Sequence, residues 1–263
     1  MVKKTKSTLY YDKTAESYEE ELKEPFWQLY YAVTWNHLQR YLPKNQEAKI
    51  LDAGGGTGYW SRKLAMVGYD VICCDISKEM LKVGFKLAKE QGLEKKITFK
   101  YGDILDIDFI DDESFEMVIA QGDPVGYCGD PSKAIMELSR VAKKGAVISI
   151  SVDSFYMWLG KLIASRSFEV VNKFIENQIT KMEFPQYNFK VSELKLMYKE
   201  SGLKVLAVIG KPVLTSFLPV DQWNDLLADK NFFDKLYELE IKYNSEPSII
   251  GLSGHIQITG IKI

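Results

Sequence analysis

Histidine is nearly missing from this chain: only His37 and His255 among 263 residues. Cysteine is almost as scarce, and Cys73, Cys74 and Cys128 are odd in number and lack metal-ligand spacing, so they read as reduced thiols and no metal site is expected. The acidic run DIDFIDDESFE reads as a solvated loop with an edge turn. A basic surplus is also lacking. Lys and Arg total 34 against 36 Asp and Glu, which leaves a formal net charge of -2 and no general source for the counterion release that drives nucleic-acid binding. No nucleic-acid partner is expected on that ground, although a local patch is compatible with a neutral total. No apolar run approaches a membrane span, and the start MVKKTKSTLYYDK has basic residues with no hydrophobic block behind them. A cytoplasmic, unprocessed chain with no membrane association is the expectation.

Aromatic residues are plentiful, at 13% of the chain, and Tyr10, Tyr11, Tyr18, Phe26, Trp27, Tyr30 and Tyr31 crowd its beginning. Hydrophobic residues at 46% and charged residues at 27% are ordinary for a globular protein. The length suits one large domain or one domain with an insertion.

From about residue 48 onward, strand-like and helix-like segments alternate, the pattern of a parallel sheet with crossover helices. AKILDAG is a short apolar run ending at glycines; Tyr59 to Val67 follows, with Trp60, Leu64 and Val67 on one helical face before Gly68. YDVICCDI is a second strand, and Ser77 caps a helix running to Gly92. ITFKYGD is a third strand, and FEMVIAQG a fourth, apolar enough to be central. Asp130 and Pro131 open a helix whose buried stripe is Ala134, Ile135, Leu138 and Val141; GAVISISV is the fifth strand. Residues 154–190 break this rhythm and read as a mainly helical insertion over the mouth of the sheet. A helix from Ser192 to Ser201, a sixth strand LKVLAVIG, one or two helices over 221–244 and a closing strand GHIQITGIKI complete the chain. The isoleucines of that last strand change face near Gly260, so a bulge is expected there. The implied fold is a three-layer α/β sandwich.

The segment KILDAGGGTGYW is the informative one. In an open α/β sheet, ligands bind beyond the carboxyl ends of the strands, where glycines allow close backbone approach and a helix start offers free N–H groups. The phosphate loop of nucleoside triphosphatases is excluded, because no Lys-Ser or Lys-Thr follows the glycines. A dinucleotide fingerprint is disfavoured, since its last glycine position is Tyr59 or Ser61 in either register. What stands is Asp52, Gly54, Gly56 and Gly58 in the spacing D-x-G-x-G-x-G. With Asp75 ending the second strand, Asp103 after the third and Gln121 ending the fourth, the chain resembles the class I S-adenosylmethionine-dependent methyltransferases.

That resemblance implies a seven-stranded, mostly parallel sheet with an antiparallel last strand, an N-terminal helical lid over residues 1–47, and a methyltransferase domain over 48–263 with 154–190 as a second lid element. It implies S-adenosyl-L-methionine as cofactor. Asp75 would accept from the ribose hydroxyls, as it also would in a dinucleotide site. Asp52 would suit the cationic amine of the methionine part, directly or through water. Asp103 would accept from the adenine amino group, Met80 would lie against the adenine face, and Gln121 would end the fourth strand at the donor. Met80 reads equally as a core methionine. Tyr18 and Tyr10 lie in the stretch that resembles the family's lid, Tyr18 nearer the donor; both also read as helix-packing rings.

The acceptor is less legible. Methyltransferases of planar base nitrogens usually carry Asn or Asp, then Pro-Pro and an aromatic; here the chain reads Gln121, Gly122, Asp123, Pro124, Val125, Gly126, Tyr127. The departure favours a small-molecule acceptor, with Asp123, Tyr127 and Tyr187 as candidate substrate contacts. Asp123 reads equally as an Asp-Pro turn. His37 sits in an amphipathic helix as a structural residue, whereas His255 opens the closing strand beside the substrate region, where one histidine alone does not define a base. No catalytic residue is assigned. A non-catalytic adenosylmethionine-binding scaffold and an RNA or protein methyltransferase stay open, as does the oligomeric state.

Overall fold

In the computed structural model, which describes residues 5–219 and 222–263, the alternating segments form the expected sheet. Five strands run parallel: β1 Lys49–Ala53, β2 Asp70–Asp75, β3 Ile97–Tyr101, β4 Phe115–Ala120 and β5 Ala142–Asp153. A separate hairpin, β6 Ile179–Lys181 and β7 Pro185–Tyr187, precedes β8 Leu203–Lys211 and β9 His255–Lys262. The seven-stranded sheet has the order β3-β2-β1-β4-β5-β9-β8, with β9 antiparallel to both neighbours. Strand order reverses at β1 and β4, so the loops leaving these strands open a crevice at their carboxyl ends.

Two helical layers cover the sheet. On one face lie α6 (Pro131–Val141) and α9 (Val191–Glu200), packed on Leu51, Val118, Ile150 and Ile258. On the other lie α2 (Pro25–Leu38), α3 (Tyr59–Met66) and α4 (Lys78–Glu90), with α10 (Trp223–Ala228) and α11 (Lys230–Tyr243) beside α2. α1 (Lys6–Glu21) runs beside α4, while α7 (Phe155–Ala164) and α8 (Phe168–Asn177) follow β5. A one-turn helix, α5 (Pro124–Tyr127), follows β4.

Local chemistry explains the helix starts. Asp130 accepts from Lys133 N–H at 3.0 Å and Pro131 occupies the first turn of α6; Ser77 accepts from Met80 N–H at 3.2 Å at the start of α4. Each such cap is worth about 1 kcal/mol. Ala134, Ile135, Leu138 and Val141 are all fully buried, so Leu138→Ala would cost about 2–5 kcal/mol through lost contacts and the cavity left behind.

Three expectations differ. Residues 154–190 are helical only as far as Asn177, because the short run ITK pairs with PQY across Phe184 to make the hairpin, with Pro185 tolerated on its edge. Val67 lies past the end of α3 at 43% exposure, and Trp60, Leu64 and Ala65 carry the apolar buried face. The bulge belongs to β8, where the pairing steps from Val205–Gly260 to Ala207–Thr259, while β9 pairs evenly with β5 through Gly260. A Cβ on Gly260 would meet the Tyr198 ring at 2.8 Å, so glycine there admits an aromatic ring rather than a bend.

Candidate active site

The glycine loop leaves β1 with Gly54, Gly56 and Gly58 at positive φ (68°, 55° and 75°), a geometry that excludes most side chains. Gly54 and Gly55 donate to Cys74 C=O at 2.8 and 3.1 Å, which pins the loop to β2. Asp75 completes the tie: Gly56 N–H donates to Oδ2 at 2.8 Å and Ser77 N–H to Oδ1 at 2.7 Å. One carboxylate thereby fixes the glycine loop and the start of α4 together. Burial pushes the Asp75 carboxyl up to about 6, against the pull of those backbone hydrogen bonds.

A cleft of about 120 Å³ opens over this loop. Of the residues expected at the donor, Tyr18, Gly54, Gly56, Asp75, Met80, Asp103 and Gln121 line it. Asp52 does not. As an alternating strand residue beside Ile50 it points toward α3, beneath Gly55, is 1% exposed, and accepts from Ser61 Oγ at 2.6 Å. Among the described residues its Oδ1 has no hydrogen-bond partner, and burial pushes its carboxyl up to about 6, with the Ser61 hydrogen bond opposing. Gln121 lines the cleft, but its amide is committed to the protein: Lys211 Nζ donates to Oε1 and Nε2 donates to Ser149 C=O, both at 2.9 Å.

A second cavity, of about 570 Å³, adjoins the first, and Tyr11, Tyr18, Tyr31, Gly122 and Tyr127 line both. Tyr11 and Tyr127 face each other at this junction, ring centroids 6.2 Å apart and planes inclined by 29°. Tyr127 is therefore where the sequence put it, between the two spaces. Tyr187 is not: it sits in β7 opposite Ile179, its ring 5.7 Å from that of Phe189, and lines neither cavity. Asp123 is fully buried at φ 72° and also lines neither, because the tight turn into α5 folds its carboxyl under the chain against Gly126. Burial, then the neighbouring Asp153 charge, push that carboxyl well above its ordinary value. His37 is buried and meets Thr259 Oγ1 at 3.0 Å, away from both cavities.

Comparison with known proteins accords with this layout. Residues 50–145 match the family model described as a methyltransferase domain. The tRNA 5-carboxymethoxyuridine methyltransferase of Escherichia coli (strain K12) is 24% identical over 237 residues, 89% of this chain and 88% of that protein. Ajmaline N-methyltransferase of Rauvolfia serpentina is 36% identical over 110 residues, 41% of this chain and 37% of that one. A solved structure of a SAM-dependent methyltransferase from Methanosarcina mazei superposes with a TM-score of 0.61 at 20% identity, covering 86% of this chain and 96% of that one. The chain is a class I S-adenosylmethionine-dependent methyltransferase.

The residues of this methyltransferase fit its donor, S-adenosylmethionine. A Cβ on Gly56 would meet nothing within 4 Å, so the loop presents bare backbone to open space, and Met80, 2% exposed, supplies an apolar wall. α1 closes over the cleft through two side-chain ties: Glu19 accepts from Thr57 Oγ1 at 2.5 Å and from Arg62 Nη2 at 3.0 Å, and Asp12 accepts from Ser77 Oγ at 2.7 Å. The larger cavity of the methyltransferase is walled by α1, α2, α7 and the hairpin, and nearly half of its lining residues are Tyr, Trp or Phe. Sequence reading missed its central pair. His255 Nε2 lies 3.1 Å from Asp153 Oδ1, and β5 and β9 place these residues directly opposite each other. No local pattern carried it, because the match depends on β5 and β9 lying side by side in this register. Among the described residues no helix is long and apolar enough to cross a membrane.

Proposed function

We propose that this methyltransferase transfers a methyl group from S-adenosylmethionine to a small-molecule acceptor held in the larger cavity. The observation that carries this reading is the junction at Tyr11, Tyr18, Tyr31, Gly122 and Tyr127, where the cleft over the glycine loop opens into a chamber of about 570 Å³ under α1 and the hairpin. When bound, the donor supplies a methyl group made electrophilic by its sulfonium. The chain's own residues then do the positioning. Asp75 accepts from the ribose hydroxyls while holding the loop, Asp103 accepts from the adenine amino group, and Met80 packs on the adenine face. Gly54 to Gly56 admit the methionine part against backbone. Asp52 acts from beneath the loop, its charge favouring the donor's positive groups without touching them. Tyr18 and Tyr31 exclude water from the line of displacement, and alignment across the junction supplies much of the rate.

α1 and residues 154–190 serve as the cover in this reading. The 24% identity to the Escherichia coli tRNA enzyme across 89% of this chain supports a second reading, an RNA acceptor. One experiment separates them. The protein is incubated with methyl-labelled donor and, in parallel, with a small-metabolite extract or total tRNA. Label in small molecules alone is the expected result; label in tRNA alone overturns the proposal. Binding of donor without turnover in either extract favours a scaffold.

A further inference from the structure

Resting on the reading of the larger cavity as the acceptor chamber, we propose that Gly122 is the opening through which the methyl group passes, a specificity-determining position whose missing side chain keeps the donor cleft and the chamber joined.

Among the described residues, Tyr11, Tyr18, Tyr31, Tyr127 and Gly122 line both cavities. Four of these bring rings to the junction, and Gly122 alone is bare. It follows Gln121 at the end of β4 and is exposed, although Gln121 before it and Asp123 after it are buried. Its free surface is the surface of the junction.

Glycine at a positive φ is ordinary, and Gly122 stands at 85°. The space around it is not ordinary. Gly54, Gly55 and Gly102 also line the donor cleft, and a Cβ on any of them would come within 3.0 Å of a neighbouring atom. Those glycines serve close packing. A Cβ on Gly122 would meet nothing within 4 Å. Gly56 shares that openness but lines the cleft alone, so Gly122 is the glycine that leaves room where the two cavities meet. Nor does a left-handed backbone by itself demand a bare residue at this turn, because Asp123 beside it holds φ 72° with a full side chain.

The rest of the opening is held in place. Gly122 N–H donates to Ser151 Oγ at 3.0 Å, and Ser151 is fully buried in β5, which ties the turn to the sheet. Tyr31 stacks on Tyr59 at 4.3 Å and meets the Trp60 ring at 5.4 Å. Phe184, only 4% exposed, packs at 5.7 Å on Tyr11 and at 5.0 Å on Tyr127, and Tyr18 stands edge-on to Tyr11 at 6.2 Å. With the rings braced, the width of the opening is decided at residue 122.

A narrow opening is enough for the chemistry. In an in-line displacement, a lone pair of a neutral acceptor forms the new bond to the methyl carbon as the C–S bond breaks. The electron pair of that bond stays on sulfur, and the positive charge passes to the acceptor atom. Only the methyl group and the reacting atom need to meet in the opening, while the rest of each molecule keeps to its own cavity. Ring faces around the opening suit the cationic centre.

The test is calorimetry with S-adenosylmethionine and S-adenosylhomocysteine, which differ by the methyl group and the charge it confers. Gly122→Ala places a methyl in the opening and changes no charge. The ratio of S-adenosylmethionine to S-adenosylhomocysteine affinity is expected to fall by about tenfold or more relative to the parent, because only the methylated ligand competes for that space. A smaller shift in the ratio overturns the proposal, whether both affinities are kept or both are lost together. Gly122→Asn, whose side chain tolerates a positive φ, is expected to give the same fall and serves if the first variant does not fold. Neither measurement uses an acceptor. A failed ratio test therefore refutes the opening at Gly122 and leaves the small-molecule reading intact, whereas methylation of tRNA alone refutes that reading itself.

Discussion

Glu19 of α1 and Arg62 of α3 form an ion pair at 3.0 Å across the glycine loop, with the Arg62 side chain only 6% exposed. Arg62 also donates to Thr57 C=O at 2.5 Å, and Thr57 Oγ1 donates back to Glu19. The loop's last turn is thus clasped between a helix that follows it in sequence and one that precedes it by nearly forty residues. The same contacts fix the position of the N-terminal helix and the shape of the cleft over the glycine loop.

Glu19→Ala is therefore expected to affect both. It strands a nearly buried guanidinium with one carbonyl partner, at a cost of about 2 kcal/mol in denaturant unfolding. Calorimetric affinity for S-adenosylmethionine should fall about tenfold, because α1 no longer holds Tyr11 and Tyr18 over the cleft. Unaltered affinity would separate α1 from donor binding.

The two buried carboxyls predict a pH dependence. Asp52 and Asp75 rise from 3.8 to about 6 in the folded chain, through burial in both cases. The folded state then binds more protons than the unfolded one between those values, so their stabilising contribution is full below 3.8 and is lost as pH rises through about 6. Asp52→Asn should be more stable than the parent at pH 8 by about 2 kcal/mol, with no gain near pH 3.5. If Asp75 and Asp52 hold the donor as proposed, its affinity runs the other way, since a ribose acceptor and an attractive charge both require ionised carboxyls. It should fall as pH drops through about 6 and be flat above pH 7, with Asp75→Asn flattening the lower limb; calorimetry across pH 5–8 reads both.

Two glycines two residues apart should fail differently. A Cβ on Gly54 would lie under 3.0 Å from the Pro124 side chain, at φ 68°. Gly54→Ala must push α5 away from β1, and circular dichroism should show a Tm drop that no amount of donor restores. Gly56 is at φ 55° with open space around its missing Cβ. Gly56→Ala should fold at a cost of about 1 kcal/mol of backbone strain and lose donor affinity selectively, because the new methyl enters the cleft.

How much of this was legible in the sequence follows from what each feature depends on. The sheet, the caps at Ser77 and Asp130 and the glycine loop rest on local patterns, and they match. The strand period would also have turned Asp52 toward α3, since Leu51 and Ala53 share the opposite face with α6; the family spacing drew the reading into the cleft instead. The hairpin over Ile179–Tyr187 rests on three-residue strands with a proline in one of them, too short for any period to register. The aromatic chamber draws on α1, α2, α5, α7 and the hairpin, and the pairing of Asp153 with His255 depends on register between strands a hundred residues apart. Such juxtapositions come from tertiary closure, which no local window contains.

Lys211 gives the last expectation. It is fully buried, its Nζ donates at 2.9 Å to Thr34 Oγ1 and to Gln121 Oε1, and the Tyr30 ring lies 4.5 Å from it. Burial holds its pKa well below the ordinary lysine value. Between that lowered value and about 10.4 the unfolded chain binds more protons than the folded one, so stability rises with pH across this window. Lys211→Met removes the slope. It also unpairs Gln121 and Thr34, which costs about 1–3 kcal/mol at every pH. The difference in unfolding free energy between parent and variant should thus grow in the parent's favour from pH 7 to pH 10, measured by urea titration at both. A constant difference would mean that the lysine is solvated through local opening, and the Gln121 amide at the donor cleft would then be free to turn.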